Sequence, residues 1–394
     1  MLVDPPPRDS VLRPPWARSV TFAVFTPLFA LMALPVARGP FSLSTLAALV
    51  LVPRLVGGMV FGALGDRYGA TWALRHCLGF GAGTSATTAL LAVLPGSLAS
   101  SVAVHGALLS GAAVAAGGAW PLSAVLCAGG AEPNRRGRAG LAPQLGVLAA
   151  VVAGAGIAVG SRHAGALLGV DAWIAGSHAV VAVGLLRLCR VLRAPMRAPR
   201  PSSAAISLRS WRRILLAAAA LSTTFAVFTM ATAPVATMGA ESAGPPLPVG
   251  AAGMVVVLGT LAGAGSLAAV VSDAYSRQHI VLAGTTAATG VALTAVLLEP
   301  GPILLTSLLA VPAALPFGCG AALLPALFPA DHRTICVAMS SALGAVGGAA
   351  TYAWAIVDAD PAVAPAPAAP AVLAAVGCLS ALCIRAVIRD TRRD

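Results

Sequence analysis

Charged residues are so sparse in this chain that each can be asked what it does. The sharpest group is Asp66-Arg67, inside Phe61-Gly62-Ala63-Leu64-Gly65-Asp66-Arg67-Tyr68-Gly69, with runs of Leu, Val, Ala and Gly on either side. A carboxylate beside a guanidinium can join and release a neighbouring segment, which is the chemistry of a latch. A weaker copy, Ser272-Asp273-Ala274-Tyr275-Ser276-Arg277, stands between two apolar runs in the second half. Arg135, Arg136 and Arg138 in one polar stretch, and Arg333 in another, can serve the same kind of latch or simply hold their loops on one membrane face. A second set lies within the apolar runs: Arg54, His105, Gln144, Asp171 and His178. Ionisable groups at such depth are costly and mark routes for substrates or ions. Arg54 can meet an anion, and an imidazole can exchange a proton near neutral pH. The plainer alternatives are a packing or snorkelling arginine and neutral, hydrogen-bonded histidines.

Other chemistries find no residues to carry them. The seven cysteines, Cys77, Cys127, Cys189, Cys319, Cys336, Cys378 and Cys383, form no C-x-x-C pair or Cys/His cluster, so no metal site or disulfide framework is expected. There is no phosphate-cradling Walker loop and no clustered nucleophile, base and acid. The expectation is a protein that is no enzyme and needs no cofactor.

The elements that must position these residues follow from composition. Of 394 residues 58% are hydrophobic and 10% charged, with a mean hydropathy of +0.89. A soluble domain carries roughly 25% charged residues, so a bilayer is the expected solvent. With about 20 apolar residues per crossing, the runs count to twelve spans: 20–36, 43–61, 71–94, 102–128, 141–159, 167–186, 214–230, 249–271, 280–298, 303–327, 336–357 and 371–388. On this reading Asp66 and Asp273 lie in tight loops just after helix ends, and Ser161-Arg162-His163 forms an outer loop. Residues 1–18 are a cytoplasmic tail, 19–186 a six-helix bundle, 187–213 a basic linker, 214–388 a second bundle and 389–394 a second tail. The fold class is an all-α membrane protein of two bundles related by internal pseudo-symmetry.

Charge sets the orientation. The net charge of +12 comes entirely from arginine, without a continuous basic domain to hold a nucleic acid. Eight arginines crowd residues 187–213, whereas Glu241, Glu299, Asp358 and Asp360 fall on the opposite side. The positive-inside bias then puts the linker and both termini in the cytoplasm, in a multi-pass protein of the cytoplasmic membrane.

The stretch from Gly62 to Gly69 resembles the signature loop between the second and third spans of major facilitator transporters, and the wider match is similar to the metabolite:proton symporter branch. It runs through Arg54, Gly57, Gly58, Val60, Phe61, Gly62, Gly65, Asp66, Arg67 and Gly69. Gly117-Gly118-Ala119-Trp120, Arg135-Arg136-Gly137 and Pro143-Gln144-Leu145-Gly146 follow in the branch's order, then Phe328, Pro329, Arg333, Gly347 and Gly348. The resemblance implies a monomeric carrier for a small organic metabolite, an organic anion among the choices, coupled to protons and working by alternating access. It also implies a cytoplasmic gate at Asp66, Arg67, Gly69, Arg135, Arg136, Asp273, Arg277 and Arg333. The chain departs from the branch at Ala119, Gly129 and Ala326, where acids are usual, and at Ile174, where an arginine is usual. A uniporter, an efflux carrier for a hydrophobic compound, or a scaffold or sensor descended from a carrier stay open.

Overall fold

The computed structural model describes residues 43–94, 101–168, 170–192, 206–238, 248–298, 302–357 and 368–391. The expected first span, the N-terminal tail and the middle of the basic linker lie outside them, as do Glu241, Glu299, Asp358 and Asp360. Eleven α-helices are present among the described residues: α1 (Leu43–Tyr68), α2 (Ala70–Val93), α3 (Val102–Gly129), α4 (Arg136–Leu168), α5 (Val170–Val191), α6 (Leu208–Met238), α7 (Pro248–Val271), α8 (Arg277–Leu298), α9 (Pro302–Leu323), α10 (Arg333–Val357) and α11 (Ala368–Thr391). A chain with so few polar side chains can satisfy its backbone in lipid only by closing hydrogen bonds within each segment. Eight helices among the described residues are long and apolar enough to cross a membrane.

Several helix ends differ from expectation. The Asp66 stretch is not a loop: α1 runs on to Tyr68, and the reversal into α2 is made by Gly69 alone, at φ 100°. A left-handed φ costs glycine little and other residues more. Ser161-Arg162-His163 is likewise no loop, since α4 continues to Leu168. The linker borders are helical too, α5 reaching Val191 and α6 starting at Leu208, which makes the expected seventh span longer at both ends. Polar side chains near a membrane surface can stay helical because their tips reach water. By contrast Ser272–Ser276 is a true loop between α7 and α8.

Packing repeats between the two halves of the chain. In the first, α1 packs on α3 and α2 on α5; in the second, α7 packs on α9 and α8 on α11. Absent side chains set the closest approaches, as small residues do where the bilayer gives helices no hydrophobic reason to associate. A Cβ on Gly57 would strike the Val114 carbonyl, and one on Gly117 the Arg54 carbonyl, so α1 and α3 touch backbone to backbone. Gly318 of α9 meets the Gly265 carbonyl of α7 in the same way. Beside Gly263 on α7, by contrast, the space is open. Between the halves, α1 packs on α10, and α4 on α7 and α9.

At the arginine-rich end a brace ties three elements of the second half. Arg213 on α6 donates from Nε to Asp390 on α11 at 2.6 Å and from its terminal nitrogen to the Leu327 carbonyl at 3.2 Å. Arg212 and Arg209 approach the same carboxylate at 3.3 and 3.9 Å.

Candidate functional site

The residues that could work a latch meet where the halves meet. Asp66, two residues from the end of α1, accepts the backbone N–H groups of Thr334 and Ile335 at 2.8 and 3.0 Å. Those amides belong to the first turn of α10, where backbone donors have no partner within the helix and the helix dipole favours an anion. Glycines make the approach: a Cβ on Gly62 would lie 2.8 Å from the Ile335 Cα, and one on Gly65 3.0 Å from the Thr334 methyl carbon.

The second latch reverses the roles of the halves. Asp273, after α7, accepts the backbone N–H groups of Gly137 and Arg138 at 2.6 and 3.3 Å, in the first turn of α4. Its carboxylate, 6% exposed, also faces Arg138 and Arg277 at 3.5 and 3.6 Å. Any side chain on Gly137 would collide with Ser272 and Asp273. Each half therefore offers one carboxylate and takes one, both at the same end of the molecule.

The remaining latch candidates fall around these two contacts. Arg277 donates weakly to the Pro133 carbonyl at 3.4 Å, reaching from the second half to the first. Arg333 donates to the Phe328 carbonyl at 3.3 Å and interacts electrostatically with both Asp66 and Arg136. Arg67 lies over the Tyr68 ring, 5.3 Å from its centre, and Arg135 pairs with Glu132 at 3.6 Å on the exposed surface. Neither reaches the other half among the described residues.

Among the described residues, those expected along a transport route are not all gathered into one place. Gln144 is spoken for: its Oε1 accepts the Trp120 indole N–H at 3.1 Å and its Nε2 donates to the Phe317 carbonyl of α9 at 2.5 Å. It is 6% exposed and acts as a strut between α3, α4 and α9. Arg54 is partly buried, level with Gly117, and makes no hydrogen bond or ion pair among the described residues. That puts Arg54 within about one helical turn of the Trp120 level. His105 bonds the carbonyl of Ser101, the residue just before its own helix, at 2.9 Å. Fifteen residues of α3 separate it from Trp120, about 22 Å along the axis. His178 is 1% exposed on α5, and neither ring nitrogen has a hydrogen-bond partner. The Cys189 thiol of the same helix bonds the Arg75 carbonyl of α2, so His178 belongs to a face that packs within the first half. Asp171 begins α5, and its side chain lies outside the described residues. Among the described residues no three His, Cys, Asp or Glu side chains cluster as a metal site.

Two working groups escaped the sequence. The Trp120–Gln144–Phe317 strut joins positions far apart in the chain, one end being a backbone carbonyl that leaves no trace in residue type. Asp390 was visible only as an acid in a basic tail, and its burial among three arginines depends on where α6 begins beside the end of α11.

The fold as a whole is similar to that of solved transporters. The proton:xylose symporter XylE, bound to 6-bromo-6-deoxy-D-glucose, superposes with a TM-score of 0.66 at 15% identity, over 93% of this chain and 94% of that one. The fold is that of the major facilitator carriers. The human organic anion transporter MFSD10 (TETRAN) shares it with a TM-score of 0.65 and 17% identity over 95% of this chain and all (100%) of that one. The transporter FucP in its outward conformation does so at 0.63 and 14%, over 94% and 99%. No protein-family model and no curated protein matches the sequence. At such identities the likeness establishes the major facilitator fold, a multi-pass membrane architecture, and leaves substrate and coupling to chemistry.

Proposed function

We propose that this protein is a secondary carrier of the major facilitator type, moving a small organic metabolite across the cytoplasmic membrane by alternating access. The observation that carries the reading is the reciprocal pair of latches, Asp66 on the start of α10 and Asp273 on the start of α4. Both close one end of the molecule through a handful of hydrogen bonds, which can be exchanged for water at modest net cost. That is the kind of bistable seam an alternating carrier needs. The arginine-rich end is the cytoplasmic one by the positive-inside rule, so this state is closed towards the cytoplasm. Twelve spans in two six-helix bundles, with both termini inside and a monomer as the working unit, complete the reading.

Arg54 is the proposed cargo contact, favouring an organic anion. It is the membrane-depth cation that no described residue neutralises, and an unpaired guanidinium there is expensive unless something charged visits it. Proton coupling is assigned to an imidazole, His178 being the buried candidate. A second reading, efflux of a hydrophobic compound, draws on the engaged state of Gln144 and the distance of His105 from it. Uptake of labelled organic anions and neutral metabolites into proteoliposomes, with and without an inward proton gradient, tests the reading. Arg54→Ala should lower anion uptake at least tenfold while Arg75→Ala leaves it near wild type. Equal effects would remove Arg54 from the route, and no flux for any compound would leave a scaffold or sensor.

A further inference from the structure

The latch end carries more positive charge than its own acids can use. Arg136, Arg138, Arg277 and Arg333 gather where α4 and α10 begin, and the enclosed acids are Asp66 and Asp273. Both Asp66 oxygens are taken by backbone N–H groups, and Asp273 is shared by two amides and two guanidiniums. Glu132 is occupied by Arg135, and the exposed Asp331 makes no ion pair among the described residues. Guanidiniums outnumber carboxylates even if Asp331 is counted.

Two of the four are also short of hydrogen bonds. Nε of Arg136 and Nε of Arg277 are shut off from solvent and have no acceptor among the described residues. Arg136 makes no ion pair among the described residues, and across the seam it interacts electrostatically with another cation, Arg333. Like charges held together at an interface between halves, with buried donors facing no acceptor, describe a site lacking its anion. A planar guanidinium is suited to a two-pronged grip on an oxyanion.

We propose that this seam binds a phosphate-type oxyanion between Arg136 of the first half and Arg333 of the second, with Arg277 in support. The bound anion replaces the repulsion between the two arginines by attraction to a shared partner and holds the latch end shut. The inference goes beyond the transport reading and is tested without transport. Its source is either free phosphate or the phosphodiester of an anionic lipid headgroup, because the chemistry at the guanidiniums is the same.

The test is thermal unfolding of the purified protein in phosphatidylcholine nanodiscs, titrated with inorganic phosphate against chloride at matched ionic strength. A saturable rise of a few degrees specific to phosphate is expected, as for any ligand of the folded state alone. The rise should disappear in Arg136→Gln and in Arg333→Gln, and persist in Arg389→Gln, which removes an equal charge from the exposed surface of α11. If phosphatidylglycerol nanodiscs raise the transition and abolish the response to free phosphate, the headgroup is the ligand. An unchanged response in both lipids makes free phosphate the ligand. Should the glutamine variants not fold, modification of the wild-type protein by phenylglyoxal reads the same site: phosphate must protect Arg136 and Arg333 several-fold more than Arg389. Absence of any phosphate or lipid dependence, a response retained by both variants, or equal protection at all three arginines would overturn the proposal.

Discussion

The two aspartates at the latch end do similar work with different partners, and this separates them experimentally. Asp66 is held by the backbone amides and the hydroxyl of the α10 start and makes no ion pair within 4 Å among the described residues, whereas Asp273 adds two arginines. A hydrogen bond to a charged group contributes about 1.5–3 kcal/mol, and charges left without their partner in a buried place cost extra. Asp273→Asn should therefore lower the unfolding temperature more than Asp66→Asn. Raised salt should weaken the wild-type latch mainly at Asp273, since only that one includes ion pairs with partly exposed arginines. Comparing both variants by thermal unfolding at low and high ionic strength checks the order. Asp66→Asn should also slow transport while leaving cargo binding largely intact. The same scale shows what residue types can and cannot reveal. Asp66 and Asp273 stand out because an acid is expensive among apolar runs, so the sequence singles them out as candidates. Their partners are main-chain N–H groups, which every residue but proline has, so nothing in Thr334 or Gly137 announced them. Gln144 shows the same limit: its depth marked it as a candidate cargo contact, but its bonds to Trp120 and to a carbonyl of α9 could not be read from residue type.

At the scale of helices, length and apolarity were legible because the bilayer imposes a ruler, and all expected spans within the described residues have a helix. Their ends were less legible. Charged residues such as Asp66 or Arg162 suggest a loop when polarity is the only signal, yet the backbone prefers to carry its hydrogen bonds on until a residue like Gly69 allows reversal. Closest approaches between helices are also only half written in the sequence. Gly117, Gly263 and Gly318 look alike there, but only the first and third touch another backbone. Gly117→Val and Gly318→Val should each destabilise by about 1–3 kcal/mol or more, the range for an overfilled contact. Gly263→Val, facing open space, should be tolerated. Urea or thermal unfolding in detergent distinguishes the three, and equal losses would mean that helix propensity outweighs contact.

At the scale of the molecule, the decisive feature is that the halves are joined at one end by contacts short enough to lock chemically. A Cβ on Gly65 would lie 3.4 Å from the Thr334 Cβ, close to the range of about 3.5–4.5 Å that a disulfide spans. Gly65→Cys combined with Thr334→Cys, in a background lacking the other cysteines, should cross-link on mild oxidation. Transport should stop and return on reduction, while either single substitution stays insensitive to oxidant. Flux that continues through the cross-linked form would show that this end need not open.

The exchange of contacts at that end has a further implication. Asp66 reaches from the first half to the second, and Asp273 from the second to the first, each gripping a bare helix start. When patch i meets j and j meets i, the arrangement is that of an isologous interface, the form by which two copies of one subunit associate. Covalent continuity through residues 193–205 is then not what joins the pieces. A chain severed in that stretch and produced as two polypeptides should reassemble in the bilayer, each fragment supplying the acid that the other lacks.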